Sequence, residues 1–111
     1  MTELIKHTIE FLKVLSDPTR LEIIELLKDG YKTSLDLQKT LKRSQSTISQ
    51  QLKILINANL IDYDRVNKKN HYFIKDKRIY KVLATMQTFI SSINKEKLKE
   101  LVDIDIYNTL T

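Results

Sequence analysis

The sequence predicts a mainly α fold of the α+β type, with about five to six helices and a two-stranded β-hairpin, on three observations. Apolar residues recur at intervals of three and four over most of the chain, which is the period of an amphipathic helix. Only residues 60–75 combine two β-branched and aromatic runs around an Asn/Lys tip, the pattern of a hairpin. A chain of 111 residues, 41% of them hydrophobic, with one glycine and one proline, has the composition of a single folded domain spanning residues 1–111.

The first two helices have clear boundaries. The first is predicted from about Glu3 to Leu15, because an apolar stripe runs along it at Leu4, Ile5, Ile9, Leu12 and Leu15. Ser16 or Asp17 can cap the next helix, and Pro18 suits its first turn. We expect Gly30 to end this second, largely buried helix in a left-handed conformation.

Two further helices, joined by a three-residue corner, are predicted within residues 33–57. Thr33 or Ser34 caps the third helix, and Ser44 caps the fourth, which ends at Ala58-Asn59. The inward contacts of the third helix are expected from Leu35, Leu37 and Leu41. On the fourth helix Ile48, Leu52 and Leu55 lie on one side, and the other side carries Ser46, Ser49, Gln50, Lys53 and Asn57. This is the outline of a helix-turn-helix, whose second helix enters the major groove of DNA.

The hairpin at residues 60–75 follows this helix directly, which is the position of a wing. Residues 42–81, which include both elements, carry ten Lys and Arg against three Asp and Glu, whereas residues 1–41 and 82–111 each have a net charge of −1. Such a local excess is typical of a surface that neutralises phosphates.

From Lys77 onward a last helix carries a wide, heptad-like apolar stripe. A small domain has little core left for it, so we expect residues 1–15 and 77–111 to join two copies of the chain. The residues predicted at this interface are Leu4, Ile5, Ile9, Leu12, Ile79, Leu83, Met86, Phe89, Ile90 and Ile93. The alternative is that the stripe covers the domain's own core. In the tail, Asn94 can cap a short helix that carries Leu98, Leu101 and Val102.

The segments VLSDPTRLEIIELL and SQSTISQQLKILINANLI, with a hairpin ending in HYFI, resemble the ArsR-type winged helix-turn-helix family of prokaryotic transcriptional repressors over about residues 10–83. The resemblance implies a homodimer that inserts its two fourth helices, the reading helices, into successive major grooves of an inverted repeat in double-stranded DNA. It implies base contacts from Gln45, Ser46, Ser49 and Gln50. Contacts to the DNA backbone are expected from Thr33, Ser34, Lys42, Arg43, Thr47, Lys53, Arg65, Lys68 and Lys69.

The chain departs from its relatives in the reading helix. Gln50-Gln51 stand where many relatives have Arg-His or a similar pair. Glutamine pairs with adenine through N6 and N7, so Gln50 predicts a preference for A·T pairs. Gln51 lies nearer the edge of the core, and it is either a second base contact or a structural residue.

A second departure concerns metals. Metal-responsive relatives use paired cysteines or Asp, His and Glu sets on the last helix, but this chain has no cysteine and no histidine there. A zinc site that joins His7 to Asp103 and Asp105 is disfavoured, because tetrahedral zinc requires about four converging ligands. We therefore expect no metal and no cofactor. The tail could extend the interface between two copies or be the place where a partner protein or a small ligand binds, and the residues do not identify either molecule.

Other functions are less consistent with the sequence. It has no Gly-rich phosphate loop and no nucleophile, base and acid set, so an enzyme is not expected. It has neither an apolar run of about 20 residues nor a signal peptide, so we expect a cytoplasmic, nucleoid-associated protein. Two rivals remain, namely a non-specific architectural protein that coats DNA and an adaptor whose basic wing binds an acidic protein. The uncharged stretch from Gln45 to Gln51 favours specific binding, because a purely electrostatic surface gains more from Lys and Arg there.

Overall fold

The computed structural model describes residues 2–95, 97 and 99, and the chain divides into two compact units, Met1–Asp76 and Lys77–Thr111. The first unit contains helices α1 (Glu3–Leu15), α2 (Pro18–Leu26), α3 (Ser34–Leu41) and α4 (Gln45–Asn57), and strands β1 (Lys32–Thr33), β2 (Ile61–Val66) and β3 (Lys69–Ile74). The second unit contains helix α5 (Arg78–Ile93). The organisation of the whole chain as one domain stays a prediction.

Helix α1 has the predicted bounds, and α2 begins where it was predicted to begin. Thr2 caps α1, and its hydroxyl accepts a hydrogen bond from the Ile5 N–H at 3.2 Å. Of the two candidate caps for α2, Asp17 is used, and its carboxylate accepts from the Arg20 N–H at 3.0 Å. Pro18 occupies the first turn, where its missing N–H costs nothing.

The end of α2 differs from the prediction. The α-helix stops at Leu26, and a 3₁₀ turn from Leu27 to Asp29 carries the chain to Gly30. Gly30 has a φ of 127° and a ψ of −167°, so it has the expected positive φ but leaves the helix in an extended conformation. Such angles favour glycine, which has no Cβ to clash with the backbone.

The helix-turn-helix consists of α3, the corner and α4, with the predicted boundaries. Lys42 has a φ of 54° and turns the chain between the two helices, and Ser44 caps α4. Leu35 was wrongly predicted as an inward contact, because it is 49% exposed. Leu37 is fully buried, and a residue two positions away lies about 200° around the helix, on its opposite side.

The predicted hairpin is confirmed as β2 and β3, and it belongs to a three-stranded antiparallel sheet with the order β1-β3-β2, in which strand β1 was not predicted. In the third strand, β1, Lys32 pairs with Tyr72 and Thr33 with His71. A strand of two residues is too short to show an alternating pattern, which is why the sequence did not predict it. The tip is the two-residue turn Asn67-Lys68, in which both residues have positive φ, the pattern of a type I′ turn.

Helices α2, α3 and α4 contact one another and hold the reading helix by its apolar side. Burying one large aliphatic side chain contributes about 1.5–3 kcal/mol, so these contacts dominate the stability of the unit. The apolar side chains buried in the first unit are Leu15, Ile23, Ile24, Leu27, Leu37, Ile48, Leu52, Leu55, Ile61 and Ile74.

Helix α5 carries the last apolar stripe, and its residues differ in exposure. Ile79 and Leu83 are buried, which leaves them little surface for a partner, and Met86 is half-buried. Phe89, Ile90 and Ile93 are 64%, 49% and 63% exposed. None of the described helices combines the length and hydropathy that crossing a membrane requires. The short helix predicted after Asn94 lies mostly outside the described residues.

Candidate nucleic-acid interface

The four predicted base-contacting residues share the exposed side of α4. Gln45, Ser46, Ser49 and Gln50 are all exposed, and at about 100° per residue they span an arc of about 140°. Ile48, Leu52 and Leu55, on the other side, are buried. The apolar side therefore fixes the helix in the fold and leaves an uncharged polar side open to solvent.

A network around Ser44 orders the first turn of this helix. The Ser44 hydroxyl accepts from the Thr47 N–H at 3.2 Å and donates to the Thr47 hydroxyl at 2.9 Å. Ser46 joins the network, with its hydroxyl 3.3 Å from that of Ser44. Thr47 is half-buried, so its side chain serves the cap as well as any contact with DNA.

The basic side chains lie on both sides of this turn. Lys42 and Arg43 are exposed at the corner, and Lys53 is exposed further along α4. At the wing, Lys68 and Lys69 are exposed at the tip. Arg65 is exposed on β2, and its Nη1 donates to Asn70 Oδ1 at 2.9 Å across the hairpin. This bond orients the guanidinium while other N–H groups of its fork remain available for a phosphate.

One groove brings together residues from the start of α3, the start of α4 and the wing. Its lining includes Ser34, Gln38, Gln45, Lys69 and Asn70, with Thr33 and Leu35 beside them. The Ser34 hydroxyl accepts from Gln38 Nε2 at 3.0 Å. Residues from two separate elements that are predicted to contact the DNA backbone therefore line the same groove as Gln45, which is predicted to contact a base.

Of the two candidate caps for α3, Thr33 is used, and it forms a capping box with Asp36 that was not predicted. Its hydroxyl accepts from the Asp36 N–H at 3.2 Å, and its own N–H donates to the Asp36 carboxylate at 2.9 Å, which is a capping box. These hydrogen bonds, with smaller effects from Lys32 and His71, hold the pKa of Asp36 below its usual value. The Thr-x-x-Asp spacing before an apolar residue was the signal that could have revealed this pair.

Gln51 is a structural residue. It is half-buried, and its side-chain oxygen accepts from Arg20 Nη1 at 2.7 Å. This hydrogen bond joins residues 31 positions apart and points the amide toward α2, away from the side that carries Gln50. Of the two interpretations left open by the sequence, the structure thus supports the structural one.

Aromatic and acidic side chains stabilise the base of the wing. The rings of Tyr31 and Phe73 lie 5.2 Å apart, and those of Tyr63 and Tyr72 lie 5.6 Å apart. Asp64 accepts a hydrogen bond from Tyr31, and its negative charge raises the pKa of that phenol. Tyr31, in the segment before β1, thus contacts both β3 through Phe73 and β2 through Asp64, and this second contact gives Asp64 a structural role.

The histidines contribute no metal site to the described part of the chain. His7 Nδ1 lies 3.9 Å from Glu10 Oε2 on α1. Within residues 2–95, 97 and 99, no three His, Asp or Glu side chains converge as metal ligands would. Asp103 and Asp105, the other members of the disfavoured zinc site, lie outside the described residues.

Comparison with known proteins supports this fold. The sequence model described as "Bacterial regulatory protein, arsR family" matches residues 17–63. The chain is 34% identical over 70 residues to a transcriptional repressor SmtB homolog of Synechocystis, covering 63% of this chain and 53% of that protein. This chain thus aligns with about half the length of the Synechocystis protein.

Two further matches cover a larger share of the matched proteins. The chain is 33% identical over 84 residues to the arsenical resistance operon repressor of Bacillus subtilis, covering 75% of this chain and 80% of that one. The crystal structure of Rv0081 from Mycobacterium tuberculosis superposes with a TM-score of 0.80 at 26% identity, covering 88% of this chain and 99% of that one. The fold is a winged helix-turn-helix, and the chain belongs to the arsR family of bacterial regulatory proteins.

Proposed function

We propose that this protein is a sequence-specific regulator that binds double-stranded DNA, acting as a homodimeric repressor at an inverted repeat. The observation that carries the proposal is the exposed, uncharged first turn of α4, flanked by basic side chains at the corner and the wing. Uncharged amides and hydroxyls distinguish base edges, whereas Lys and Arg bind phosphates of any sequence. The two relatives described above are named as repressors, which favours repression over activation.

The roles of the site residues follow from their places. Gln45, Ser46, Ser49 and Gln50 contact base edges, and Gln50 favours an A·T pair. Ser34, Lys69 and Arg65 bind phosphates beside the groove, and Lys42, Arg43, Lys53 and Lys68 add charge around it. Thr33 caps α3 and Thr47 bonds to Ser44, the cap of α4, so their contribution to binding the DNA backbone is small.

The proposal includes a second copy of the chain, since a single reading helix covers only half of an inverted repeat. Exposed apolar side chains on α1 (Leu4, Ile5, Ile9 and Leu12) and on α5 (Phe89, Ile90 and Ile93) supply the surface for it. In this proposal the protein has no catalytic role, needs no metal, and binds chromosomal DNA in the cytoplasm.

Selection of duplexes from a random DNA pool, followed by competition with shuffled DNA, tests the proposal. A specific regulator enriches one inverted repeat and prefers it over shuffled DNA by a factor of about 10³ or more. An architectural protein binds every duplex alike, with affinity that falls steeply as salt rises. A protein adaptor binds DNA weakly even at low ionic strength, and either of these two results would refute the proposal.

A further inference from the structure

The side chain of Arg20 on α2 joins two other helices. Its Nε donates to the Val14 carbonyl oxygen at 2.7 Å, and its Nη2 donates to the Lys13 carbonyl oxygen at 3.2 Å, both in the last turn of α1. Its Nη1 donates to Gln51 Oε1 at 2.7 Å, in the middle of α4. One guanidinium therefore holds the end of α1 and the reading helix in a fixed relation.

The chemistry suits this task. The last carbonyls of an α-helix have no partner within the helix, and a positive charge is favourable at that end. Arginine presents its donors in one rigid plane, so each bond restricts the direction of the others. Arg20 and Gln51 are both half-buried, so water competes with these bonds less than it does at the surface.

The apolar contacts of α4 do not by themselves fix the rotation of this helix about its axis. Ile48, Leu52 and Leu55 hold the helix against the core, but apolar attraction has no preferred direction. A hydrogen bond of 2.7 Å to a charged donor is directional and short. Base contacts, in turn, require side chains placed to within about 0.5 Å, a tolerance that a small rotation of α4 would exceed.

We propose that Gln51 is a positioning residue for base recognition: through Arg20 it sets the rotation of α4, and thereby where the adjacent Gln50 meets the groove. This inference rests on the proposed function. Because α1 also carries exposed apolar side chains for the proposed second copy, the same link ties the placement of the reading helix to that of α1.

Two substitutions at Gln51 test the inference. Gln51→Met keeps the size of the side chain and removes the acceptor, whereas Gln51→Glu keeps an acceptor for Arg20. The probes are the duplex that the wild-type protein enriches from a random pool and a shuffled duplex. We expect Gln51→Met to lower the preference for the enriched duplex about tenfold, which corresponds to the loss of a hydrogen bond to a charged group. Affinity for the shuffled duplex should not change.

Gln51→Glu should retain the wild-type preference for the enriched duplex within about threefold, because it keeps a hydrogen bond to Arg20. If Gln51 itself contacted a base, a carboxylate could not donate to N7 of adenine, and Gln51→Glu would lower the preference as much as Gln51→Met. That result would overturn the inference. Gln87→Met, the same change at an exposed site on α5, is the control and should have no effect. Combining Gln51→Met with Arg20→Lys should cost no more than the larger single change, because both break one link.

Amide hydrogen exchange in the free protein tests the hydrogen bond between Arg20 and Gln51 in the absence of DNA. Gln51→Met should speed exchange in α4 and in the last turn of α1 together, and Gln51→Glu should not. Unchanged exchange in Gln51→Met would overturn the inference even if the preference for the enriched duplex fell. A wild-type protein that enriches no sequence would refute the proposed function instead, whereas the exchange result would still show whether the link exists.

Discussion

The neighbouring residues Gln50 and Gln51 of the reading helix lie in different surroundings. Gln50 is exposed beside Ser46 and Ser49, whereas Gln51 is half-buried and bonded to Arg20. At about 100° per residue, consecutive positions on a helix face different surroundings, so identical side chains acquire different roles. The sequence placed Gln50 by its angle alone, but the partner of Gln51 comes from 31 residues away and is visible only in the fold.

Gln50 should determine base preference. Replacing Gln50 by Ala should relax recognition at one position of each half-site by about 1–3 kcal/mol, because the adenine loses a bidentate partner. Competition between the enriched duplex and single-base variants of it measures the effect. Asn57→Ala, at the far end of the same helix, serves as the control. Equal losses on enriched and random DNA would show that Gln50 binds the backbone instead.

Asp36 should stabilise the start of α3 in a pH-dependent way. Replacing it by Asn removes a negative charge from a helix N-terminus, which should cost about 0.3–1 kcal/mol of unfolding free energy at neutral pH. Because hydrogen bonds from Thr33 lower the pKa of Asp36, its contribution is complete above the unfolded-state pKa, about 3.9. The contribution disappears as the pH falls through the lower pKa of the folded state.

Urea unfolding at pH 7, 5 and 3 tests this prediction about Asp36. The difference between Asp36→Asn and the wild type should be the same at the two higher values and smaller at the lowest. Glu22→Gln, at an exposed carboxylate on α2, is the control for the general loss of a negative charge. A difference that grew on acidification would contradict the assignment.

The elements that the sequence predicted are those with local signals. Helices α1 and α4 begin at a capping residue and keep one apolar period, and their bounds, Glu3–Leu15 and Gln45–Asn57, match the prediction. Strand β1 has no such signal, since Lys32 and Thr33 become a strand only by pairing with β3 about 40 residues later. Likewise, Thr33 was expected as a candidate cap of α3 and at the DNA backbone, but its capping box with Asp36 was not predicted.

Lys68, at the tip of the wing, places a positive charge at a position where its backbone conformation costs stability. Asn67 and Lys68 have φ values of 50° and 66°, and Asn-Gly is the pair that such turns favour. Lysine in the left-handed region costs roughly 1–2 kcal/mol relative to a residue without that strain. Its presence is explained if the Lys68 ammonium binds a phosphate.

Lys68→Gly should therefore separate stability from binding. We expect the unfolding free energy to rise by about 1 kcal/mol, because glycine adopts positive φ without strain. Affinity should fall equally for enriched and shuffled DNA, and the salt slope should decrease by about one, because one phosphate contact is lost. Lys68→Ala is the matched control, with the same loss of charge and no relief of strain. A change in sequence preference in either variant would mean that Lys68 contacts a base.

Across the whole molecule, residues 42–81 hold the excess positive charge, and six of their ten Lys and Arg side chains lie on the corner, α4 and the wing. The surrounding segments, with a net charge of −1 each, carry most of the large exposed apolar side chains. This separation matches a division of labour in which the middle of the chain meets DNA and both ends meet a second copy. Two copies then present two reading helices, about 34–36 Å apart if they enter successive major grooves.

Phe89 on α5 should be required for this pairing. It is 64% exposed, so Phe89→Asp removes little that the single chain buries but places a charge in the proposed interface. Sedimentation at micromolar concentration should show a dimer for the wild type and a monomer for Phe89→Asp. The duplex enriched by the variant should shrink from an inverted repeat to a half-site, because one reading helix covers one groove. Gln87→Asp, on the same helix, controls for the added charge and should remain dimeric. A monomeric wild type that still enriches an inverted repeat would show that DNA, and not α5, brings the two copies together.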